Sequence, residues 1–495
     1  MTDLLRFNPA HALTSPALTP AQAQEALDEA LAAFWAYHQE TGKPSQRAVG
    51  VLVAIASHEQ PTIAEMGVNA LFGGLVERLS DAFDESGSVL YDELFSYAIQ
   101  VSRHLPNCGF LDTELERFGL HTEADIYQRK LRLGQRAGPL PQEAFAEVQK
   151  VFVLSRVTLG ADVAIASVLF QQLQAMFPAA ELLFVAPPAS HALVAGNPRV
   201  RCRAVRYERR GGLADRFRGW HSILQTIREE SAGMTPVQYL VIDPDSRLTQ
   251  LGHLPLVDDT RHLFFESRTY RSDSAAPLSE LVASWLNDLL GVESKPLPRI
   301  WLTPEDHLWG QALRSRLREG GASRVISVSF GVGGDERKRV DDEFEFALVR
   351  ALIEEGNLVL LSRGVGPTET GRTQRLTARL EEEGLGVLHL DKGRGLGQLG
   401  SQPWNVVTWE ADVAAFCASI AHSDEYVGYD SAGQHIAAAL GIPTITVFVS
   451  ANGTRHMERW TPRGPGPVRL VPVEPGTRDP ASVLEKVMES HRLLM

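Results

Sequence analysis

The sequence is poor in the features of secreted, disulfide-stabilised and membrane-spanning proteins. Its 3 cysteines among 495 residues, Cys108, Cys202 and Cys417, lie too far apart to suggest a disulfide framework or a thiolate zinc site. The chain has no run of about 18 uncharged apolar residues, and its start lacks the basic and apolar regions of a signal peptide. We therefore predict a cytoplasmic location, and a peripheral contact with the inner face of the membrane is compatible with it.

An excess of basic residues is also missing. The chain has 48 lysines and arginines against 61 aspartates and glutamates, and the net charge of −13 argues against a nucleic-acid partner. Its 15 histidines form no HxxxH pair joined to a carboxylate, and the DxD spacing of Asp243 and Asp245 is weak evidence for a metal. We predict neither a metal ion nor an organic cofactor.

The first part of the chain has the pattern of a helical domain. Apolar residues recur every three or four positions in four segments, which predict helices over Ala21–Tyr37, Arg47–Ser57, Ile63–Phe83 and Val89–Arg103. The turn-forming segment AGPLPQ marks a boundary after them. We predict an all-α domain over residues 1–140, whose partner the sequence does not identify.

From Val151 onward, short apolar runs alternate with amphipathic helices, which is the pattern of a parallel sheet with crossover helices. The pattern pauses in the proline-rich segment GVESKPLPRIWLTP and restarts at Val325. We predict an α/β fold with two Rossmann-like domains, residues 149–295 and 305–480, and a C-terminal helix over residues 481–495. Two such domains facing a cleft suit an enzyme with two substrates.

The segment EYVGYDSAGQHIAAALGIPTITVFV predicts a strand, a turn and an alanine-rich helix. Unpaired N–H groups and the dipole at the helix start favour an anion such as a diphosphate; Ser431 adds a hydroxyl, and Gly433 permits close approach. Taken singly, Asp430 and Ser431 fit an ordinary helix cap, and His435 fits a helical histidine paired with a neighbour. Together with the flanking strands, these residues favour binding.

This segment resembles glycosyltransferase family 9, the lipopolysaccharide heptosyltransferase family, which carries an Asp-Ser/Thr-Gly-x-x-His turn before an alanine-rich helix and Gly-x-Pro. Asp430, Ser431 and His435 keep the family spacing, whereas Ala432 stands at the usual glycine. The resemblance implies the GT-B architecture, in which two Rossmann-like domains flank a cleft, and a nucleotide-sugar donor bound by the second domain.

Two further segments resemble the donor side of the same family. In SFGVGGDERKRV, Lys338 follows a loop that contains Gly331 and Gly333, and the family places a lysine there beside the donor diphosphate. In RGVGPTE, Glu369 takes the place of a carboxylate that holds nucleoside hydroxyls. The alternatives are a solvated charged loop around Lys338 and an ordinary first-turn acidic residue at Glu369.

On the acceptor side, VFVLSRVTLGADVAIASVLF resembles the family's opening strand and Gly-Asp turn, so Asp162 is the candidate general base. Ala161 is an extra residue between glycine and aspartate, and a helix-start carboxylate is the alternative for Asp162. Arg247, after the segment VIDPD, is the candidate contact for an anionic acceptor, which is a glycan, a lipid or a protein. Eight arginines within residues 199–218 could meet phosphates or a membrane, or form the outer face of a strand.

The resemblance therefore implies a glycosyltransferase that moves a sugar from a nucleotide-diphosphate donor by a metal-independent, inverting displacement, with ADP-heptose as the first donor to test. A non-catalytic nucleotide-sugar-binding or scaffold protein with a helical interaction domain is the alternative. A nicotinamide-dependent oxidoreductase ranks last, because no GxGxxG follows the strand at Val151.

Overall fold

The computed structural model describes residues 15–81, 83–136, 138–207, 211–390, 393–400, 402–449, 453–474 and 479–494. Helices form the first part, at α1 Pro20–Thr41, α2 Gln46–Ala56, α3 Pro61–Asn69, α4 Glu77–Asp81, α5 Glu85–Ser102, α6 Gly109–Arg117 and α7 Glu123–Gly134. A π-helical stretch, Ala70–Val76, joins α3 to α4. All four predicted helical segments are helical, but the third is divided into α3, the π-helical stretch and α4, and it ends at Asp81, before Phe83. Helix α1 begins one residue before the predicted start, because Thr19 forms a capping box ahead of Pro20.

The first sheet has five parallel strands in the order β3-β2-β1-β4-β5. Its strands are β1 Lys150–Leu154, β2 Glu181–Ala186, β3 Val200–Ala204, β4 Tyr239–Asp243 and β5 His262–Phe264. Its helices are α8 Leu159–Ala161, α9 Ser167–Met176, α10 Pro188–His191, α11 Leu213–Glu230 and α12 Leu278–Leu290, with a π-helical stretch Asp162–Ala166 between α8 and α9. Because all five strands are parallel, the loops that follow them lie at the same edge of the sheet.

The second sheet has seven parallel strands in the order β12-β11-β10-β6-β7-β9-β8. Its strands are β6 Val325–Ser329, β7 Leu358–Ser362, β8 Val387–His389, β9 Val406–Trp409, β10 Glu425–Tyr429, β11 Thr444–Val449 and β12 Val468–Val473. Its helices are α13 Pro304–Glu319, α14 Asp342–Glu354, α15 Gly366–Glu382, α16 Val413–Ala421, α17 Ala432–Ala439, α18 Thr454–Trp460 and α19 Pro480–Arg492. Strand β10 pairs with β6, so the segments that carry Lys338 and Asp430 follow adjacent strands.

The helical part covers one face of the first sheet. Side chains of β1 alternate between two cores: Phe152 and Leu154 pack with the N-terminal helices, whereas Val151 and Val153 pack with α9 and α12. Ion pairs cross the same boundary, since the buried Lys130 of α7 contacts Glu266, beyond β5. The helices and the first sheet thus share one interior.

The two α/β parts also share an apolar core. Cys417 and Ile420 of α16 and Ile436 of α17 pack in the same cluster as α9 and α12 of the first part. Gly160 lies against α17: a β-carbon added to it would lie 3.0 Å from His435 Cδ2, so only glycine fits there without movement. No helix among the described residues is long and apolar enough to cross a bilayer.

Candidate donor and acceptor site

The start of α17 packs against a buried tyrosine. A β-carbon at Gly433 would lie 2.0 Å from the hydroxyl oxygen of Tyr426, whose side chain is fully buried under the helix. Glycine is required here because the helix lies directly on this ring. Gly433 therefore has a packing role in the structure, and it sets the direction in which the first turn of α17 points.

Lys338 and Asp430 meet at this helix start. Lys338 Nζ donates a hydrogen bond to Asp430 Oδ2 at 2.7 Å, and Gln434 Nε2 donates to Oδ1 at 2.7 Å. Burial raises the pKa of Asp430, but the Lys338 ammonium and His456 outweigh that effect and hold the pKa well below its usual range. The site therefore contains an ionised carboxylate paired with a half-buried ammonium group.

The loop that carries Lys338 is held by a second set of ion pairs. Glu336 accepts from Arg339 at 3.2 Å and from Arg372 of α15 at 2.5 Å, and Arg339 also donates to Glu345 at 2.7 Å. Arg339 and Arg372 are buried, whereas Glu336 is half exposed. These contacts fix the short turn Glu336–Lys338 and so the position of the lysine ammonium.

Ser431 lies immediately before the first turn of α17, and His435 lies at the end of that turn. Ser431 is the N-cap residue, yet its side chain makes no capping hydrogen bond within the part of the chain that the structure describes. Burial lowers the pKa of His435 to about 4, which keeps the imidazole neutral near pH 7.

Glu369 joins the loops that follow β6 and β7. Its Oε1 accepts from the N–H of Val332 at 3.0 Å and its Oε2 from the N–H of Val365 at 2.8 Å. Gly331 lies against the same carboxylate, whereas Gly333 has a positive φ of 64° and lies further along the loop. The sequence motif thus organises two loops around a small hollow that includes Gly331 and Glu369.

Asp162 follows β1 and is buried, with 2% of its surface exposed. Its Oδ2 accepts from the hydroxyls of Ser155 at 2.7 Å and Ser190 at 2.6 Å, and its Oδ1 accepts from the N–H of Arg156 at 2.8 Å. Burial raises the pKa of Asp162 to about 6 against the opposing effect of these hydrogen bonds. The carboxylate therefore stabilises the turn after β1 through these hydrogen bonds. Val157 lies in this turn with a φ of 64°, which is strained for a β-branched residue.

Arg247 lies beside an acidic part of the helical region. Its Nη1 is 4.0 Å from Glu77 Oε1. Burial lowers the pKa of Arg247, but Tyr207, Asp81 and Glu77 outweigh this and raise it above its usual value. The charge at Arg247 is therefore balanced by residues of α4.

Part of the arginine-rich segment forms β3, an exposed strand at the edge of the first sheet, and its arginines pair with glutamates. Arg201 contacts Glu181 and Glu230, each at 2.5 Å, and Arg203 contacts Glu229 at 3.0 Å. The interpretation as the outer face of a strand is confirmed for these two arginines. Residues 208–210 lie outside the described residues.

The DxD pair has structural partners. Asp243 accepts from Ser246 N–H at 2.7 Å and from the Thr249 hydroxyl at 2.5 Å, which closes the turn after β4. Asp245 pairs with Arg268. The two carboxylates thus hold loops together at the first sheet's edge.

Sequence reasoning missed His456, which lies beside Asp430, and Phe83, which packs against His456. His456 of α18 is 5% exposed, and its Nε2 lies 3.6 Å from Asp430 Oδ2. Phe83, from the turn after α4, lies with its ring centroid 6.1 Å from that of His456. No local pattern could reveal this contact, because the two residues belong to opposite ends of the chain.

Comparison with solved structures identifies the fold class. A glycosyl transferase family 9 protein from Veillonella parvula is similar with a TM-score of 0.50 and 15% identity, over 71% of this chain and 99% of that chain. The ADP-heptose lps heptosyltransferase II of E. coli has a TM-score of 0.46 and 17% identity, over 70% and 99%. Heptosyltransferase WaaC of E. coli, solved with ADP, has a TM-score of 0.44 and 16% identity, over 69% and 100%.

The first of these likenesses, together with the two facing parallel sheets, confirms the predicted GT-B fold preceded by helices. Residues 405–465 match the family described as Glycosyltransferase family 9 (heptosyltransferase), a segment that contains Asp430, Ser431 and His435. No curated protein sequence matches the chain. The match to glycosyltransferase family 9 thus covers one segment of the second α/β part, the segment in which the sequence motifs show the resemblance.

Proposed function

We propose that the protein transfers a sugar from a nucleoside-diphosphate donor to a glycan, lipid or protein acceptor. The Lys338–Asp430 pair at the start of α17 carries this proposal, since it places an ammonium group beside free helix N–H groups at the carboxyl end of β10. This combination suits a diphosphate. The family match over the same segment supports a sugar nucleotide as the ligand.

The proposed donor site stabilises a leaving group. As the bond between sugar and diphosphate breaks, negative charge grows on the phosphate oxygens, and Lys338 offsets it without a metal ion. The Ser431 hydroxyl donates to the same oxygens. Glu369 keeps lone pairs beyond its two backbone contacts and accepts from nucleoside hydroxyls, next to Gly331.

We assign Asp162 as the general base for the acceptor hydroxyl. A base works best with a pKa near the working pH, and the value of about 6 suits this role. The residue begins the π-helical stretch that follows β1 and α8, two positions after Gly160, which lies against His435. Attack on the anomeric carbon from the Asp162 side while diphosphate leaves towards Lys338 inverts the configuration.

The test is a panel of nucleotide sugars in metal-free buffer, with ADP-heptose first because the matching family is a heptosyltransferase family. We expect one donor to release its nucleoside diphosphate at a rate that Asp162→Asn abolishes, while that variant still binds the donor. Absence of binding for every donor would overturn the proposal. Normal turnover by Asp162→Asn would remove this residue from the mechanism.

One observation favours a second candidate, a non-catalytic nucleotide-sugar-binding protein. The Asp162 carboxylate is buried and accepts three hydrogen bonds, so an acceptor hydroxyl reaches it only after the turn opens. If this second candidate is right, the wild-type protein binds a nucleotide sugar tightly but releases no nucleoside diphosphate from it, whichever glycan, lipid or protein acceptor is added.

We further propose a cytoplasmic protein, because all three cysteines are free thiols. A peripheral membrane contact through the arginine-rich segment is testable by sedimentation with vesicles that contain anionic lipid. The pairing of Arg201 and Arg203 with glutamates predicts weak binding.

A further inference from the structure

His456 occupies a closed aromatic compartment beside the donor site. The ring centroids of Phe83, Phe448 and Trp460 lie 6.1, 6.1 and 6.4 Å from its own, and the side chain is buried. Phe83 is itself 4% exposed and has a φ of 52°, in the left-handed region. The helical part of the chain thus supplies one wall of this compartment.

The imidazole of His456 has unused hydrogen-bonding capacity. Neither ring nitrogen has a hydrogen-bond partner among the residues that the structure describes. The nearest acceptor is Asp430 Oδ2, and the distance of 3.6 Å to Nε2 is longer than a hydrogen bond. A buried polar group left in this state costs free energy, so a small movement that completes the contact is favourable.

The same carboxylate oxygen is occupied by Lys338 at 2.7 Å. A diphosphate that binds at the start of α17 draws the ammonium group towards its own oxygens. Asp430 Oδ2 then loses its strongest donor while it remains buried. His456 Nε2–H is the group placed to replace that donor.

On the basis of the proposed function, we infer that His456 is a positioning residue of the donor site, which takes over Asp430 when Lys338 turns to the donor diphosphate. Phe83 holds the imidazole in place for this exchange. The helical part of the chain is therefore a component of the donor site, although it lies outside the segment that matches the family. The inference concerns binding geometry and requires no change in covalent bonds.

The experiment measures binding of ADP, UDP and GDP to the full chain by isothermal titration calorimetry, and uses the tightest of the three as the probe. We expect His456→Phe, which keeps a ring but has no nitrogen, to raise the Kd at least tenfold. His456→Gln places an amide donor near the Nε2 position and should stay within about threefold of the wild type. This rescue distinguishes a positioning role from a merely structural one.

A second pair of variants tests the helical contribution. Phe83→Leu should raise the Kd severalfold because it loosens the wall of the compartment. The control is Phe95→Leu, a buried aromatic of the same helical region that packs against Phe72 and Tyr91. It should lower the melting temperature without changing the Kd.

The outcomes separate the two proposals. If the wild-type protein binds none of the three diphosphates, the proposed function fails and this inference falls with it. If the wild-type protein binds a diphosphate and His456→Phe binds it equally well, this inference alone is overturned. Equal losses in His456→Gln and His456→Phe would also overturn it, because the nitrogen would then have no specific role.

Discussion

The ammonium group of Lys338 lies 2.7 Å from a carboxylate oxygen of Asp430, so an anionic ligand must compete with a buried carboxylate for this cation. The pair remains ionised, since the pKa of Lys338 is raised: burial lowers it, but Asp430 outweighs burial. The charge is thus present before a ligand arrives. The net binding free energy of the proposed diphosphate is therefore the free energy gained in its contact with Lys338 minus the free energy needed to separate Lys338 from Asp430.

Lys338→Met should weaken binding of the nucleoside diphosphate by roughly 10- to 100-fold, because a hydrogen bond to a charged group contributes about 1.5–3 kcal/mol. Isothermal titration calorimetry measures the change. Lys486→Met, at an exposed position of α19, is the matched control and should leave the Kd unchanged. Equal affinity in the Lys338 variant would show that the diphosphate binds elsewhere.

Gly433→Ala should destabilise the fold by about 1–3 kcal/mol, because its methyl group overlaps the Tyr426 hydroxyl. Urea unfolding followed by circular dichroism measures the loss. Gly109→Ala, at the start of α6, has open space around the added carbon and serves as the control. Tyr426→Phe in the Gly433→Ala background should restore only part of the stability, because ring carbon Cζ still lies 2.6 Å from the added carbon. A Gly433→Ala loss no larger than that of Gly109→Ala would show that the overlap has no effect.

The buried carboxyl of Asp162 predicts a specific pH dependence. Its pKa is raised from 3.8 to about 6, so between these values the unfolded chain has released a proton that the folded protein retains. Stability from this group is full below about pH 4 and declines up to about pH 6, by roughly 3 kcal/mol at most. Asp162→Asn should lack this decline.

The measurement is the free energy of unfolding of wild type minus Asp162→Asn at several pH values from 4 to 7. Asp28→Asn, an exposed aspartate of α1, is the control for general charge effects. A difference that stays constant over this range would contradict a raised pKa at Asp162.

Lys130→Met should destabilise the protein by about 3–5 kcal/mol, because it leaves the carboxylates of Asp92 and Glu266 buried without their cation. Denaturant unfolding measures this loss, and Lys43→Met at an exposed position is the control. A small effect would show that the contact between the helical part and the first sheet adds little stability.

Much of the fold was predictable because local pattern and burial agree. The apolar runs at Val151 and Val325 form strands, and the alanine-rich helix follows Asp430 as predicted. Strand β9, Val406–Trp409, was not predicted, because its four residues are too few to show alternation.

The candidate site was predictable only in part. The family resemblance assigns Lys338 and Asp430 to one donor site, and the structure brings them into contact. Motifs identify residue types but not the direction of a side chain, so the burial of Asp162 and the packing of Gly433 on Tyr426 needed the three-dimensional structure. His456 and Phe83 needed it most, since a contact between distant segments leaves no periodic signal.

The shared interiors have a consequence for how the molecule comes apart. The N-terminal helices complete the first sheet's core, and α16 and α17 complete the core beneath α9 and α12. No part can leave without exposing apolar surface on what stays behind, so we expect heating to melt the chain in a single cooperative transition. Limited proteolysis should accordingly yield no long-lived fragment that corresponds to a single domain.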